Sequence, residues 1–78
     1  MKKEQTIILI PLDTKEIIEV KEELIREGRK RRILNSTIIT VNLVRNTLSV
    51  TSDCEDFIKD LSLSEKFKAV PVIFPSLN

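Results

Sequence analysis

The apolar positions of this chain change rhythm along its length. QTIILIPL, residues 5 to 12, is a continuous apolar run without alternation. A run this short predicts a strand covered on both faces, and Pro11 is expected to end its ladder pairing. Helical spacing follows: Ile17, Ile18, Val20, Leu24 and Ile25 form one stripe within residues 13 to 28, as an amphipathic helix requires. Asp13 with Glu16 three residues on predicts a capping box with Asp in place of Ser, and Leu12 with Ile17 a hydrophobic staple. Glu22 and Arg26 stand at the i,i+4 spacing of a favourable ion pair. Gly28 is expected to supply the left-handed C-terminal residue. The helix is then expected to stop near Glu27, because a turn through Arg32 has no apolar anchor.

Strict alternation appears next. NSTIITVNLVRNTLSVTS, residues 35 to 52, predicts a hairpin. With Arg45 and Asn46 in a two-residue turn, Leu43 faces Leu48 and Val41 faces Val50, with Ile39 on the same side. Asn42 then faces Ser49 and Thr40 faces Thr51 on the other side. Asn46 suits the left-handed backbone such a turn needs. In SDCEDFIKDL, residues 52 to 61, Ser52 and Glu55 match a capping box, and Cys54, Phe57, Ile58 and Leu61 mark one helical face. Ser62 to Lys66 is expected to add a short turn. KAVPVIFP, residues 68 to 75, is a last strand that Pro71 confines to a sheet edge.

The order is β-α-β-β-α-β, the ferredoxin-like α+β plan: a four-stranded antiparallel sheet with both helices on one face. Right-handed crossovers place the first and third strands centrally. The unalternating strand then falls in the centre and the proline-bearing strand at an edge, so two independent cues agree. Residues 1 to 78 read as one domain. The plan hosts many unrelated functions and licenses none by itself.

Composition sharpens the picture. A domain of 78 residues has a small core, for which a disulfide, a metal or a partner chain often compensates. One Cys and no His rule out an internal disulfide and disfavour a zinc site. That points to tight packing or self-association. No export signal and no membrane-spanning run is visible, so a reducing, cytoplasmic setting is expected. Abundant Ile, Lys and Glu with one Gln is the composition of a heat-adapted, thermophile protein. Net charge is only +1, so any case for nucleic-acid binding rests on local clustering.

Candidate chemistry is sparse. Without His there is no imidazole base and no Ser-His or Cys-His pair, and one Gly allows no phosphate loop. No enzyme, cofactor or metal is expected. Asp13 and Glu16 are explained by capping. Asp53, Glu55 and Asp56 are explained by the positive end of the second helix, although oxygen ligands for a divalent cation are the alternative. Cys54 reads as a small buried apolar residue. The hairpin's outer face offers Thr40, Asn42, Ser49 and Thr51, none of which can stack a base as RNA-recognition domains of this fold do.

Two features remain. The first strand is apolar on both sides, so either Ile8 and Ile10 or Ile7 and Leu9 face away from the helices, beside Ile38 and Val44. An uncharged, partly aliphatic sheet face predicts a homo-oligomer or a ligand-sensing interaction module. The second feature is GRKRRILN, residues 28 to 35, with Arg29, Lys30, Arg31 and Arg32 consecutive. Such a run grips phosphates in a salt-dependent, sequence-blind way, and arginine suits bidentate phosphate contact. Topology places it at the same end as Lys2 and Lys3, and also near Asp53, Glu55 and Asp56. The leading expectation is a small non-enzymatic nucleic-acid-binding protein using Arg29, Lys30, Arg31 and Arg32 with Lys2 and Lys3 in support. The competing expectation is a charged loop neutralised by those acids.

Overall fold

A computed structural model describes residues 3–13 and 16–72. In chain order the elements are β1 (Gln5–Pro11), α1 (Ile17–Lys30), a 3₁₀ turn (Leu34–Ser36), β2 (Thr37–Asn42), β3 (Thr47–Ser52), α2 (Glu55–Leu63) and β4 (Phe67–Val72). The sheet order is β2-β3-β1-β4, with every pair antiparallel. This is the ferredoxin-like βαββαβ plan, with β1 and β3 central and the proline-bearing β4 at an edge.

The continuous apolar run of β1 now has a reason. Ile7 and Leu9 are buried at 3% and 0% exposure, while Ile8 and Ile10 point to the open face. Leu48 and Val50 of β3 complete the sheet's contribution to the core. Val20 and Leu24 of α1 and Phe57, Ile58 and Leu61 of α2 cover it. α1 lies over β2 and β3, and α2 over β4 and β1. Each fully buried aliphatic side chain here contributes about 1.5–3 kcal/mol of transfer free energy.

The hairpin register differs from expectation by two residues. Val41 opposes Leu48 and Ile39 opposes Val50, so the loop is Leu43 to Asn46 and Leu43 is 69% exposed. The faces are unchanged, because a two-residue slip preserves the pleat. The sequence lacks the Asn-Gly that a two-residue turn demands. Instead Asn42 Oδ1 accepts a hydrogen bond from the Arg45 N–H at 3.1 Å, and Asn46 takes the left-handed φ of 55°.

The start of α1 also differs. Glu16, not Asp13, is the N-cap, and the Glu16 side chain makes no cap hydrogen bond. The Leu12 N–H still donates to the Lys66 carbonyl at 3.0 Å. The chain is therefore still tied, at Leu12, to the residue just before β4, and the helix begins only at Ile17. Glu27 pairs at i,i+4 with Arg31, the C-cap of α1, and among the described residues no Glu22–Arg26 pair forms within 4.0 Å.

At the other end, Gly28 lies inside the helix, and the left-handed residue is Arg32, with φ 58°. Arg32 N–H donates to the Arg29 carbonyl at 3.1 Å and Ile33 N–H to the Gly28 carbonyl at 3.0 Å. That pair of bonds is the Schellman closure with arginine in the usual glycine position. Gly28 is needed for another reason. A Cβ there would sit 2.8 Å from Leu34 Cδ2, so its absence lets the returning chain pack against the helix.

Ser52 is likewise not a helix cap but the last residue of β3, fully buried. Its hydroxyl shares a hydrogen bond with Thr37 Oγ1 at 2.9 Å and accepts the Cys54 N–H at 3.1 Å. α2 consequently starts at Glu55 with Cys54 as N-cap.

Candidate functional site

The C-terminus of α1, the 3₁₀ turn, the start of β1, the end of β3 and the start of α2 all meet at one end of the sheet. Arg29 and Lys30 are exposed on the last turn of α1. Lys3 is exposed beside the start of β1, while Lys2 lies outside the described residues.

Arg31 is held differently from its neighbours. Its Nε donates to Glu27 Oε1 at 3.1 Å and its Nη2 to Asp60 Oδ2 at 2.5 Å. Its guanidinium also lies 5.3 Å from the centre of the Phe57 ring. The hydrogen bond to Asp60, then that to Glu27, raises its already high pKa. Arg31 therefore ties the end of α1 across to α2, and two carboxylates already occupy its fork.

Arg32 opens onto a concavity of about 820 Å³, whose lining includes Lys3 and Arg32 together with Asp53, Glu55 and Asp56. The expected meeting of the basic loop with these acids is thus present as a shared hollow. Among the described residues no ion pair within 4.0 Å joins these cations to these acids. The acid that does reach the loop is Asp60, which sequence reasoning missed. Its signal was its position four residues beyond Asp56, one turn along α2 and beside Phe57. Glu27 as the second partner was hidden by ending the helix too early.

Among the described residues no group of three or more His, Cys, Asp or Glu is arranged to hold a metal ion. Cys54 is half-buried and packs against the core margin. No helix in the described residues is long and apolar enough to cross a membrane.

The open sheet face is the other notable surface. The register sets Thr40, Ser49, Ile8 and Val70 in one row, and Ile38, Thr51, Thr6 and Val72 in the next. Ile38 is 64% and Val70 38% exposed. Thr6 and Thr51 share a hydroxyl hydrogen bond of 2.8 Å, so part of the polar capacity of this face is satisfied internally.

A comparison with known proteins finds no matching family model, no matching curated protein and no matching solved structure.

Proposed function

We propose that this protein is a small non-enzymatic nucleic-acid-binding protein that contacts phosphates through its basic corner. Arg29, Lys30 and Arg32 make the contacts, Lys3 supports them from the rim, and Arg31 fixes the corner's shape. The observation that carries this reading is Arg32 in the left-handed region. Glycine would hold that cap position without the steric cost, roughly 1–2 kcal/mol, that a side chain incurs there. A charged side chain kept against a backbone penalty is the pattern of residues retained for function. Arg31 meanwhile pairs with both Glu27 and Asp60, so its one positive charge offsets one of these two acids in the corner's field. A lone cysteine accords with a reducing, cytoplasmic setting.

Three phosphate contacts on duplex DNA give a log-log salt slope of about 2.7, at roughly 0.9 per contact. Fluorescence anisotropy with labelled DNA and RNA at two salt concentrations tests this. The native protein binds with that salt dependence, and the triple variant Arg29→Gln, Lys30→Gln, Arg32→Gln loses most affinity. Equal and negligible binding by both proteins would reject the proposal.

The second reading is an oligomerising interaction module that buries the open sheet face. Exposed Ile38 and Val70 among the Thr and Ser side chains of the open face, whose charge is confined to Lys68 on the β4 edge, favour it. Sedimentation of a Val70→Lys variant is its test, with weaker self-association expected than for the native protein.

A further inference from the structure

We propose that the β2 edge pairs with β2 of a second copy of this chain, giving one continuous antiparallel sheet with Thr40 on the two-fold axis and the two α1 helices side by side. This goes beyond the sheet-face reading, because it uses a strand edge and a helix flank.

The two edges of the sheet are unequal. β4 carries Lys68 and Pro71 and follows Lys66, the features that blunt an edge against pairing. β2 reads TIITVN, and residues 33–44 contain no charge, proline or glycine. Left bare, this segment has the composition of an aggregation-prone strand. A specific partner strand covers it.

The helix above that edge is prepared in the same way. Glu23, Glu27 and Arg31 line the groove between α1 and α2. At 3.6 residues per turn, Ile18, Glu22, Ile25 and Arg29 fall on the opposite flank, which overhangs β2 because α1 lies over β2 and β3. Ile18 is 45% exposed there, and Ile25 is half-buried. The helix is also polar along its length. Residues 16–23 hold four Glu and one Lys, and residues 26–31 hold four basic residues and one Glu. A two-fold axis sets the acidic half of one helix against the basic half of the other.

Directly opposite residues share a face. Centred on Thr40, Ile39 meets Val41 twice on the helix side, and Ile38 meets Asn42 on the open side. Centring on Ile39 would instead set Thr37 against Val41 in the core layer. A strip about 20 Å long, one sheet and one helix deep, buries on the order of 1,000 Å² over both copies, at the lower bound for a specific interface. Ladder hydrogen bonds add to it, and a reversible dimer is the expected result.

Sedimentation velocity over a concentration series tests this without nucleic acid, so its outcome is separate from the phosphate reading. The native protein dimerises. A Glu19→Lys, Glu22→Lys variant and an Arg26→Glu, Arg29→Glu variant each associate about tenfold more weakly or worse, since like charges then face each other. Their equimolar mixture recovers native association, which a merely unfolded variant would not do. Thr40→Cys in a Cys54→Ser background cross-links on oxidation, and Val70→Cys does not. A native monomer at every concentration, or a mixture that fails to recover, overturns the proposal. Loss of association with Val70→Lys but not with the helix variants also overturns it, and assigns the dimer to the sheet face.

Discussion

Arg32 offers the sharpest test of how the cap and the basic corner are coupled. Its φ of 58° places a side-chain-bearing residue where the Cβ crowds the backbone, at a cost of about 1–2 kcal/mol. Replacement by glycine relieves that cost but loosens the unfolded chain, which returns roughly 0.4–1 kcal/mol. It also removes a cation from a helix C-terminus, worth another ~0.3 kcal/mol at an exposed site. Arg32→Gly is therefore stabilising by about 0.5 kcal/mol. Arg32→Ala keeps the crowding and loses the charge, so it falls about 0.3 kcal/mol below the native protein. The glycine and alanine variants differ by ~1 kcal/mol, and neither carries the charge. At about 2.1 cal/mol/K per residue, a 78-residue chain unfolds with an entropy near 0.16 kcal/mol/K, so that difference is about 6 °C in Tm. Thermal unfolding followed by circular dichroism measures it. In the anisotropy assay both variants lose the same single phosphate contact. Stability and affinity thus move in opposite directions for glycine and together for alanine. Equal Tm values for the two variants would refute the claim that position 32 stores backbone cost.

Arg31→Met removes the bonds to Glu27 and Asp60 and the stacking on Phe57. Partly exposed ion pairs and cation–π contacts predict a loss of about 1 kcal/mol in urea unfolding. Because the folded pKa of Arg31 is raised, its contribution is fully present below the unfolded pKa and is lost only as strongly alkaline pH rises through the folded one, so titrating this guanidinium contributes no pH dependence near neutrality. Gly28→Ala gains about 1 kcal/mol of helix propensity but must displace Leu34 Cδ2; near-neutral stability is expected, and Gly28→Val is destabilising by at least ~2 kcal/mol in the same assay. Ser52→Ala leaves the part-buried Cys54 N–H without its acceptor, for a loss of about 1 kcal/mol, and faster amide exchange at Cys54 is the local readout.

Much of the architecture was legible in the order of rhythms along the chain. An unalternating apolar run identified β1 as central, Pro71 identified β4 as an edge, and the helical stripe around Val20 and Leu24 identified the helix face that is buried. These features depend only on side-chain period and on what a residue's own backbone permits, and both are properties of sequence. Cap positions were less legible. Asp13 and Ser52 have capping chemistry, but backbone bonds hold the chain in the sheet layer up to Leu12 in the first case and through Ser52 in the second, so each helix begins later. Gly28 looked like a helix terminator because glycine tolerates the left-handed region. Only packing shows that its lack of a Cβ serves Leu34, which moves the left-handed cost to Arg32. The four adjacent cations were plain in the sequence, yet sequence treats them alike. Tertiary structure separates them, because Asp60, 29 residues from Arg31, lies within reach of one guanidinium only. The sequence by itself determined where charge is concentrated. The fold determined which charges are already partnered, since partnership depends on distances that only the packing of α1 against the sheet and beside α2 sets.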